Sequence, residues 1–140
     1  MTADRDRFIA ALSANEDDTT TRLVYADWLD EQGEHEEADR QRRWPAAKQW
    51  IFELCEKYNP GPDADEYYRN AWISYKKLIQ LGREASVLAG GYLCVNCDRE
   101  EKMSQDLQMH GKEFWRNWSI VTGVPLDPSQ MERFYFSCGC

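Results

Sequence analysis

The chain has 140 residues, of which 30% are charged, and its formal net charge is −8. This length fits one domain with a core of ordinary size and excludes two large domains. The acidic balance disfavours general affinity for nucleic acid, because phosphate contacts need a basic surface. No apolar run approaches the roughly 20 residues that cross a bilayer, and the N-terminal MTADRDRF lacks the apolar segment of a secretory signal. We therefore predict a cytoplasmic protein without membrane association.

The N-terminal segment predicts a hairpin of two helices. Residues 4–13 place apolar side chains on one side of the first helix, and the second helix, from Thr19 to Gln32, has apolar pairs four residues apart. Gly33 is expected to cap the second helix. The predicted contact between the helices joins Leu23, Val24, Trp28 and Leu29 to Phe8, Ile9 and Leu12.

The same segment resembles a known family. The stretch FIAAL, the acidic Glu16-Asp17-Asp18 and the stretch RLVYADWLDEQG together resemble the repeat-companion domain over about residues 8–33. This short module is found in planctomycete proteins, often beside leucine-rich repeats. The resemblance implies a helical hairpin and, by association, a role in protein interaction. It supplies no catalytic residue.

Three further helical segments are predicted before residue 90. Residues 34–43, EHEEADRQRR, are almost wholly charged, so a helix there should lie on the surface. Pro45 is suited to the first position of a new helix. An apolar stripe at helical spacing then follows, formed by Ala47, Trp50, Ile51, Leu54, Cys55 and Tyr58. Its cysteine, Cys55, is interpreted as a core residue, since buried free cysteine behaves as a small hydrophobe.

The stretch Asn59-Pro60-Gly61-Pro62 must break that helix. Asp63 and Glu66 resemble a capping box for the next helix, whose apolar stripe runs from Tyr68 to about Leu81. Gly82 either ends this helix or lies within a continuation to Ala89. Beyond Gly90-Gly91 the sequence predicts a strand at Tyr92–Cys94, a helix from Ser104 to about Val121, and a strand around residues 133–136.

These elements predict a mostly α fold. It is a helical bundle with an N-terminal helical hairpin and a small zinc-stabilised, cysteine-rich C-terminal subdomain that contains a short β-hairpin. The helical body spans residues 1–90, with the repeat-companion-like hairpin in 1–43 and two longer helices in 45–89. The cysteine-rich, zinc-binding tail spans residues 91–140 and packs on this body.

Four cysteines near the C-terminus predict a metal site. Cys94 and Cys97 form a C-x-x-C pair in GYLCVNCD, and Cys138 and Cys140 end the chain in FSCGC. Four thiolates make a tetrahedral set for which Zn²⁺ is the default ion. Clustered cysteines in a reducing cytosol favour metal over a disulfide framework. A disulfide or redox pair, unconnected thiols, and replacement of one ligand by His110 remain alternatives.

The predicted function is a non-enzymatic protein-interaction or adaptor module that binds another protein. The acidic residues within 27–39 suit the steering of a basic partner. One alternative is a zinc-containing nucleic-acid-binding protein that uses Arg40–Trp44, a cluster of arginines beside a tryptophan. Another is an enzyme with a catalytic metal or a catalytic Asp27, which lies among apolar residues and is otherwise expected at the core edge beside an arginine such as Arg22. His35, within a run of acids, is expected on the surface.

Overall fold

Helices dominate the computed structural model, which describes residues 2–66, 69, 72–87, 92–94, 106, 109–126 and 135–137. Among these residues the helices are α1 (Thr2–Ala14), α2 (Thr19–Glu31), α3 (His35–Lys57), α4 (Tyr75–Val87) and α5 (Gly111–Thr122), and the strands are β1 (Tyr92–Cys94) and β2 (Tyr135–Ser137). The prediction of a mostly α-helical chain is confirmed. The chain divides into two compact units, residues 1–47 and residues 48–140.

In the first unit, α1 and α2 form the predicted hairpin, and both ends of α2 are capped. The Asp18 carboxylate accepts the Thr21 N–H at 3.1 Å and the Thr21 hydroxyl at 2.7 Å, which satisfies one free donor of the first turn. At the other end Gly33 has φ 80°. The amide groups of Gly33 and Glu34 donate to carbonyls of the last turn at 3.0 and 2.9 Å. This is a Schellman arrangement, so the predicted cap at Gly33 is confirmed.

The core of the first unit lies along one face of α2. Its buried apolar residues are Tyr25, Ala26, Leu29 and Ala38, with Phe8, Leu12 and Trp28 packed against them. The Phe8 ring stacks on Tyr25 with 5.1 Å between centroids. The prediction that Ile9, Leu23 and Val24 belong to this core is wrong, because their exposed fractions are 47%, 45% and 52%. The buried face follows positions 22, 25, 26 and 29, which turns positions 23 and 24 outward.

A single helix, α3, replaces the two segments predicted on either side of Pro45, and this proline lies inside it. Proline has no N–H to donate to the carbonyl four residues earlier, which costs about 3 kcal/mol relative to alanine. Burial along α3 offsets that cost: Ala38, Gln41, Trp44 and Ala47 are all buried. The prediction of a wholly surface helix over residues 34–43 is therefore wrong for Ala38 and Gln41.

The core of the second unit is apolar and rich in aromatic rings. Its buried members are Ile51, Cys55, Ile73, Leu78, Phe114, Trp115 and Trp118. Trp115 and Trp118 meet edge to face with 5.3 Å between ring centroids. The apolar stripe predicted for the second half of α3 is confirmed, since Trp50, Leu54 and Tyr58 pack against this core. The sequence did not single out Trp115 as a core residue.

The helix predicted after Asp63 is interrupted: Glu66 and Arg69 are helical, and α4 forms after the interruption and continues past Gly82. Residues 72–74 are not helical, and the Ser74 hydroxyl accepts the Lys77 N–H at 3.3 Å at the start of α4. Gly82 is buried inside α4, where a Cβ atom would lie 2.2 Å from Nε1 of Trp118. The same indole nitrogen donates to the Ile79 carbonyl at 3.1 Å. Gly82 therefore permits close approach of the Trp118 ring instead of ending the helix.

The two short strands of the second unit pair in parallel. Tyr92 is opposite Tyr135, Leu93 opposite Phe136, and Cys94 opposite Ser137. The predicted strands are present, but the predicted β-hairpin is wrong, because a hairpin joins antiparallel strands. A parallel pair requires a long crossover connection, which the segment between residues 94 and 135 supplies. Helix α4 contacts both β1 and α5.

In the part of the chain that the structure describes, no helix combines the length and apolar character needed to cross a membrane.

Candidate functional site

One of the four predicted zinc ligands, Cys94, lies within the described residues, in the two-stranded sheet. Cys94 is the last residue of β1, and its register partner is Ser137, the last residue of β2. Cys97, Cys138 and Cys140 lie outside the described residues, as does the predicted four-cysteine cluster. Among the residues that are described, no group of three or more His, Cys, Asp or Glu residues is arranged to hold a metal ion.

Cys55 is a core residue, as predicted. Its side chain is fully buried among the apolar residues of the second unit. Burial raises the pKa of the Cys55 thiol to about 12, with a smaller contribution from Glu56. A thiol with this pKa is protonated at neutral pH and is a poor nucleophile and metal ligand.

Asp27 does not occupy the setting that the sequence predicts. Its side chain is 75% exposed, and its Oδ1 lies 2.8 Å from Nη2 of Arg42, which also contacts Asp30 at 2.6 Å. The predicted pairing with Arg22 is therefore wrong. Because α2 turns the side chain of position 27 away from the buried face, the apolar neighbours in sequence are not its neighbours in space.

The arginine cluster at the centre of the nucleic-acid hypothesis is engaged in ion pairs. Arg40 contacts Glu37 at 2.6 Å, Arg42 contacts Asp27 and Asp30, and Arg43 contacts Asp39 at 3.0 Å. Trp44, the aromatic residue of the cluster, is only 5% exposed. These contacts give the cluster little capacity to bind phosphate or to stack on a base.

Arg22 forms a buried polar centre in the first unit that sequence reasoning missed. Its guanidinium donates to the Gln41 amide oxygen and to the Glu16 carbonyl, each at 2.6 Å. The same group lies 3.7 Å from the centroid of the Trp44 ring. The signal in the sequence was the position of Arg22, one turn before Tyr25 and Ala26 on the buried face of α2.

Gln41 extends this polar centre to Glu37. The Gln41 amide donates to the Glu37 carboxylate at 2.8 Å, and Arg40 donates to the same carboxylate. Burial raises the pKa of Glu37, but the hydrogen bonds from Arg40 and Gln41 outweigh it and leave the pKa below its usual value. The chain of contacts from Arg22 through Gln41 to Glu37 holds α2 and the start of α3 together.

A groove of about 280 Å³ opens on the surface of the second unit. The residues that line it are Trp50, Glu53, Leu54, Lys57, Asp106, His110 and Glu113. Lys57 contacts Asp106 at 2.8 Å, and the Tyr58 hydroxyl also donates to this carboxylate. The hydrogen bonds from Lys57 and Tyr58 lower the pKa of Asp106. No local sequence signal could have found this site, because Asp106 and Lys57 are 49 positions apart.

The two histidines have different surroundings. His35 is exposed, as predicted, and its Nδ1 lies 2.8 Å from Asp30. This contact, followed by the hydrogen bond from Arg42, lowers the pKa of the Asp30 carboxyl. His110 stands at the N-terminus of α5 and lines the groove, where its Nδ1 is 3.5 Å from Glu113. Its alternative role as a zinc ligand stays a prediction.

No protein-family model, curated protein or solved structure matches this chain. The likeness of residues 8–33 to the repeat-companion domain therefore stays an expectation. The described residues do contain the helical hairpin that this likeness implies.

Proposed function

We propose that this chain is a non-catalytic protein-interaction module with a structural Zn²⁺ bound by Cys94, Cys97, Cys138 and Cys140. The observation that carries the proposal is the parallel register of β1 and β2, in which Cys94 is opposite Ser137. Parallel strands leave a sheet at the same edge, about 4.8 Å apart. Cys138 follows Ser137 directly and Cys97 comes three residues after Cys94. Since one residue spans at most about 3.8 Å, the four thiols can reach a common ion.

The ligand chemistry favours a structural role over a catalytic one. Four thiolates fill the tetrahedral coordination of Zn²⁺ and leave no position for water or substrate. Neither Cys55 nor Asp27 has surroundings suited to catalysis. The Cys55 thiol is buried with a pKa of about 12, and Asp27 is exposed and paired with Arg42. These settings support a protein that binds without turnover.

The charge of the first unit supports a protein partner. Residues 1–47 contain 12 acidic residues and 6 arginines, which gives a net charge of −6. Several acids are neutralised within the unit, among them Glu34 by Arg5 and Asp39 by Arg43. Glu31 and Glu36 are exposed and add to the surplus of negative charge. Such a surface attracts a basic partner over distances of a Debye length.

Elemental analysis tests the metal. Protein purified without added metal should contain about one zinc per chain, and Cys94→Ser or Cys138→Ser should abolish it. Cys55→Ala is the matched control, because it removes a cysteine of the core and should leave the zinc content unchanged. Absence of zinc from the native chain, with Cys94 and Cys97 open to alkylation under native conditions, would overturn the proposed site.

Affinity capture from native cytosol tests the interaction. We expect a partner that is retained at low salt and weakened at moderate salt. Glu31→Lys combined with Glu36→Lys should reduce its capture, because the variant reverses two exposed negative charges. Exposed substitutions of this kind should change the free energy of unfolding by no more than about 0.5 kcal/mol each. Asp30 and Glu34 are unsuitable for this purpose, because both take part in ion pairs. Capture of no partner in either salt would count against an interaction module.

A further inference from the structure

We infer that the groove of the second unit binds a lysine or arginine side chain of a partner peptide. This inference rests on the proposed interaction function and adds the chemistry of the partner. Three carboxylates, one ammonium group and one imidazole line the groove. Lys57 already neutralises Asp106 at 2.8 Å. Glu53 and Glu113 therefore leave the groove with two surplus negative charges when His110 is neutral.

Among the residues that the structure describes, neither surplus carboxylate is neutralised by its contacts in the groove when His110 is neutral. Glu53 accepts a hydrogen bond at 2.8 Å from the Gln49 side-chain amide, which is uncharged. Glu113 is 3.5 Å from Nδ1 of His110, and its side chain is 54% exposed. A concave surface that carries charge of one sign concentrates ligands of the opposite sign. The complementary ligand is therefore a cation.

The apolar lining narrows the class of cation. Trp50 and Leu54 line the same groove as the carboxylates. Lysine and arginine cover apolar surface with their aliphatic stems while their charged ends stay near water and anions. Tryptophan is also the aromatic residue that attracts such cations most strongly. A bare metal ion would make no use of either apolar residue, and the described residues hold no cluster arranged for one.

Size and surroundings favour a side chain of a peptide over a free cofactor. The volume of about 280 Å³ lies just below the roughly 300–1,000 Å³ of small-molecule sites. Met109, next in sequence to His110, is 76% exposed. A flexible, polarizable thioether adapts to the apolar residues of a partner. We therefore expect the partner segment that binds this surface to contain a basic residue next to an apolar one.

The test is a titration of the full isotope-labelled chain with a short capped peptide of alternating lysine and alanine, followed by NMR. A peptide with glutamate in place of lysine serves as the control ligand. We expect shifts confined to the Trp50 indole N–H and the amides of residues 49–57 and 109–116. Glu53→Gln combined with Glu113→Gln should weaken binding by about tenfold at low salt, since each exposed ion pair contributes modestly.

A matched variant separates this site from general charge attraction. Glu56→Gln combined with Glu84→Gln removes the same charge from exposed positions outside the groove, and it should leave binding within about twofold of the native value. Equal weakening by both variants, shifts away from the groove, or equal binding of the glutamate peptide would overturn the inference. If the native chain and the Glu53→Gln, Glu113→Gln variant captured a natural partner equally, the inference about the groove would be overturned. The proposed interaction function would still stand.

Discussion

The two units of this chain are stabilised in different ways. In the first unit, the apolar core is small and adjoins a buried guanidinium, Arg22, whose partners are Gln41, the Glu16 carbonyl and the Trp44 ring. In the second unit, the seven buried core residues among those described are all apolar, and three of them are the aromatic residues Phe114, Trp115 and Trp118. The first unit therefore depends on directional contacts, and the second depends on packing.

This difference predicts opposite sensitivities to mutation. A buried charged group leaves its partners unsatisfied when it is removed, so a chemically conservative change can be costly. An apolar core loses stability mainly when a substitution removes or adds side-chain volume. The following substitutions probe each unit in turn, in order of decreasing expected effect.

Trp118→Ala should have the largest effect. It empties a fully buried position and removes the hydrogen bond to the Ile79 carbonyl, so the free energy of unfolding of the second unit should fall by about 3–5 kcal/mol. Urea denaturation followed by circular dichroism measures this change. Met109→Ala, at a side chain that is 76% exposed, is the control and should stay within about 0.5 kcal/mol. If Trp118→Ala and Met109→Ala lowered the free energy of unfolding by similar amounts, the packed core of the second unit would be contradicted.

Arg22→Lys should lower the stability of the first unit by about 2–3 kcal/mol. Lysine keeps the charge but cannot reproduce two hydrogen bonds and a planar contact with Trp44 at 3.7 Å. Thermal and urea unfolding of the purified variant measure the loss. Arg43→Lys changes a mostly exposed residue that pairs with Asp39 in the same helix, and it should cost no more than about 0.5 kcal/mol. If Arg22→Lys were equally mild, the polar centre would not stabilise the unit.

Gly82→Ala should destabilise the second unit by about 1–3 kcal/mol, although alanine favours helix by about 1 kcal/mol. The new Cβ atom would lie 2.2 Å from the Trp118 indole. In a Trp118→Phe background the clash is relieved, so the two substitutions should show a coupling energy in a double-mutant cycle. An increase in stability on Gly82→Ala in the native background would show that the ring is not seated against this residue.

The smallest effect concerns the pH dependence of the first unit. Hydrogen bonds from the backbone and then the hydroxyl of Thr21 lower the pKa of Asp18 below 3.8. A carboxyl whose pKa is lower in the folded state stabilises the fold above its unfolded pKa, and this contribution disappears as the pH falls through its folded pKa. Asp18→Asn keeps a good N-cap without a titrating group. The advantage of the native chain over this variant should therefore shrink below about pH 4.

Periodicity alone predicted the features that local sequence determines. The hairpin, the cap at Gly33 and the apolar stripe of α3 around Ile51 and Cys55 follow from spacing and from the left-handed preference of glycine. Features that depend on distant partners were missed. The sequence leaves open whether Gly82 ends a helix or lies within it, and the packing of Trp118 on this residue decides between the two. Pro45 is typical of a helix start, and its place inside α3 depends on the burial of Gln41 and Trp44.

The candidate sites divide in the same way. The cysteine spacing indicated a metal site without any structure, whereas the parallel direction of the strands that lead toward it could not be read from two short segments. The groove combines α3 with Asp106, His110 and Glu113, so no local pattern predicts it. Asp27 is exposed and paired with Arg42, because its apolar neighbours in sequence are not its neighbours in space.

Hydrogen exchange with and without a zinc chelator tests most directly whether a four-cysteine metal site holds the C-terminal strands. We predict that chelation removes amide protection from residues 92–94 and 135–137 and leaves the protection of α1 and α2 unchanged, because a structural metal contributes its binding free energy to the elements that it joins. Unchanged protection of both strands after chelation, in protein shown by elemental analysis to have lost its metal, would contradict a structural zinc site.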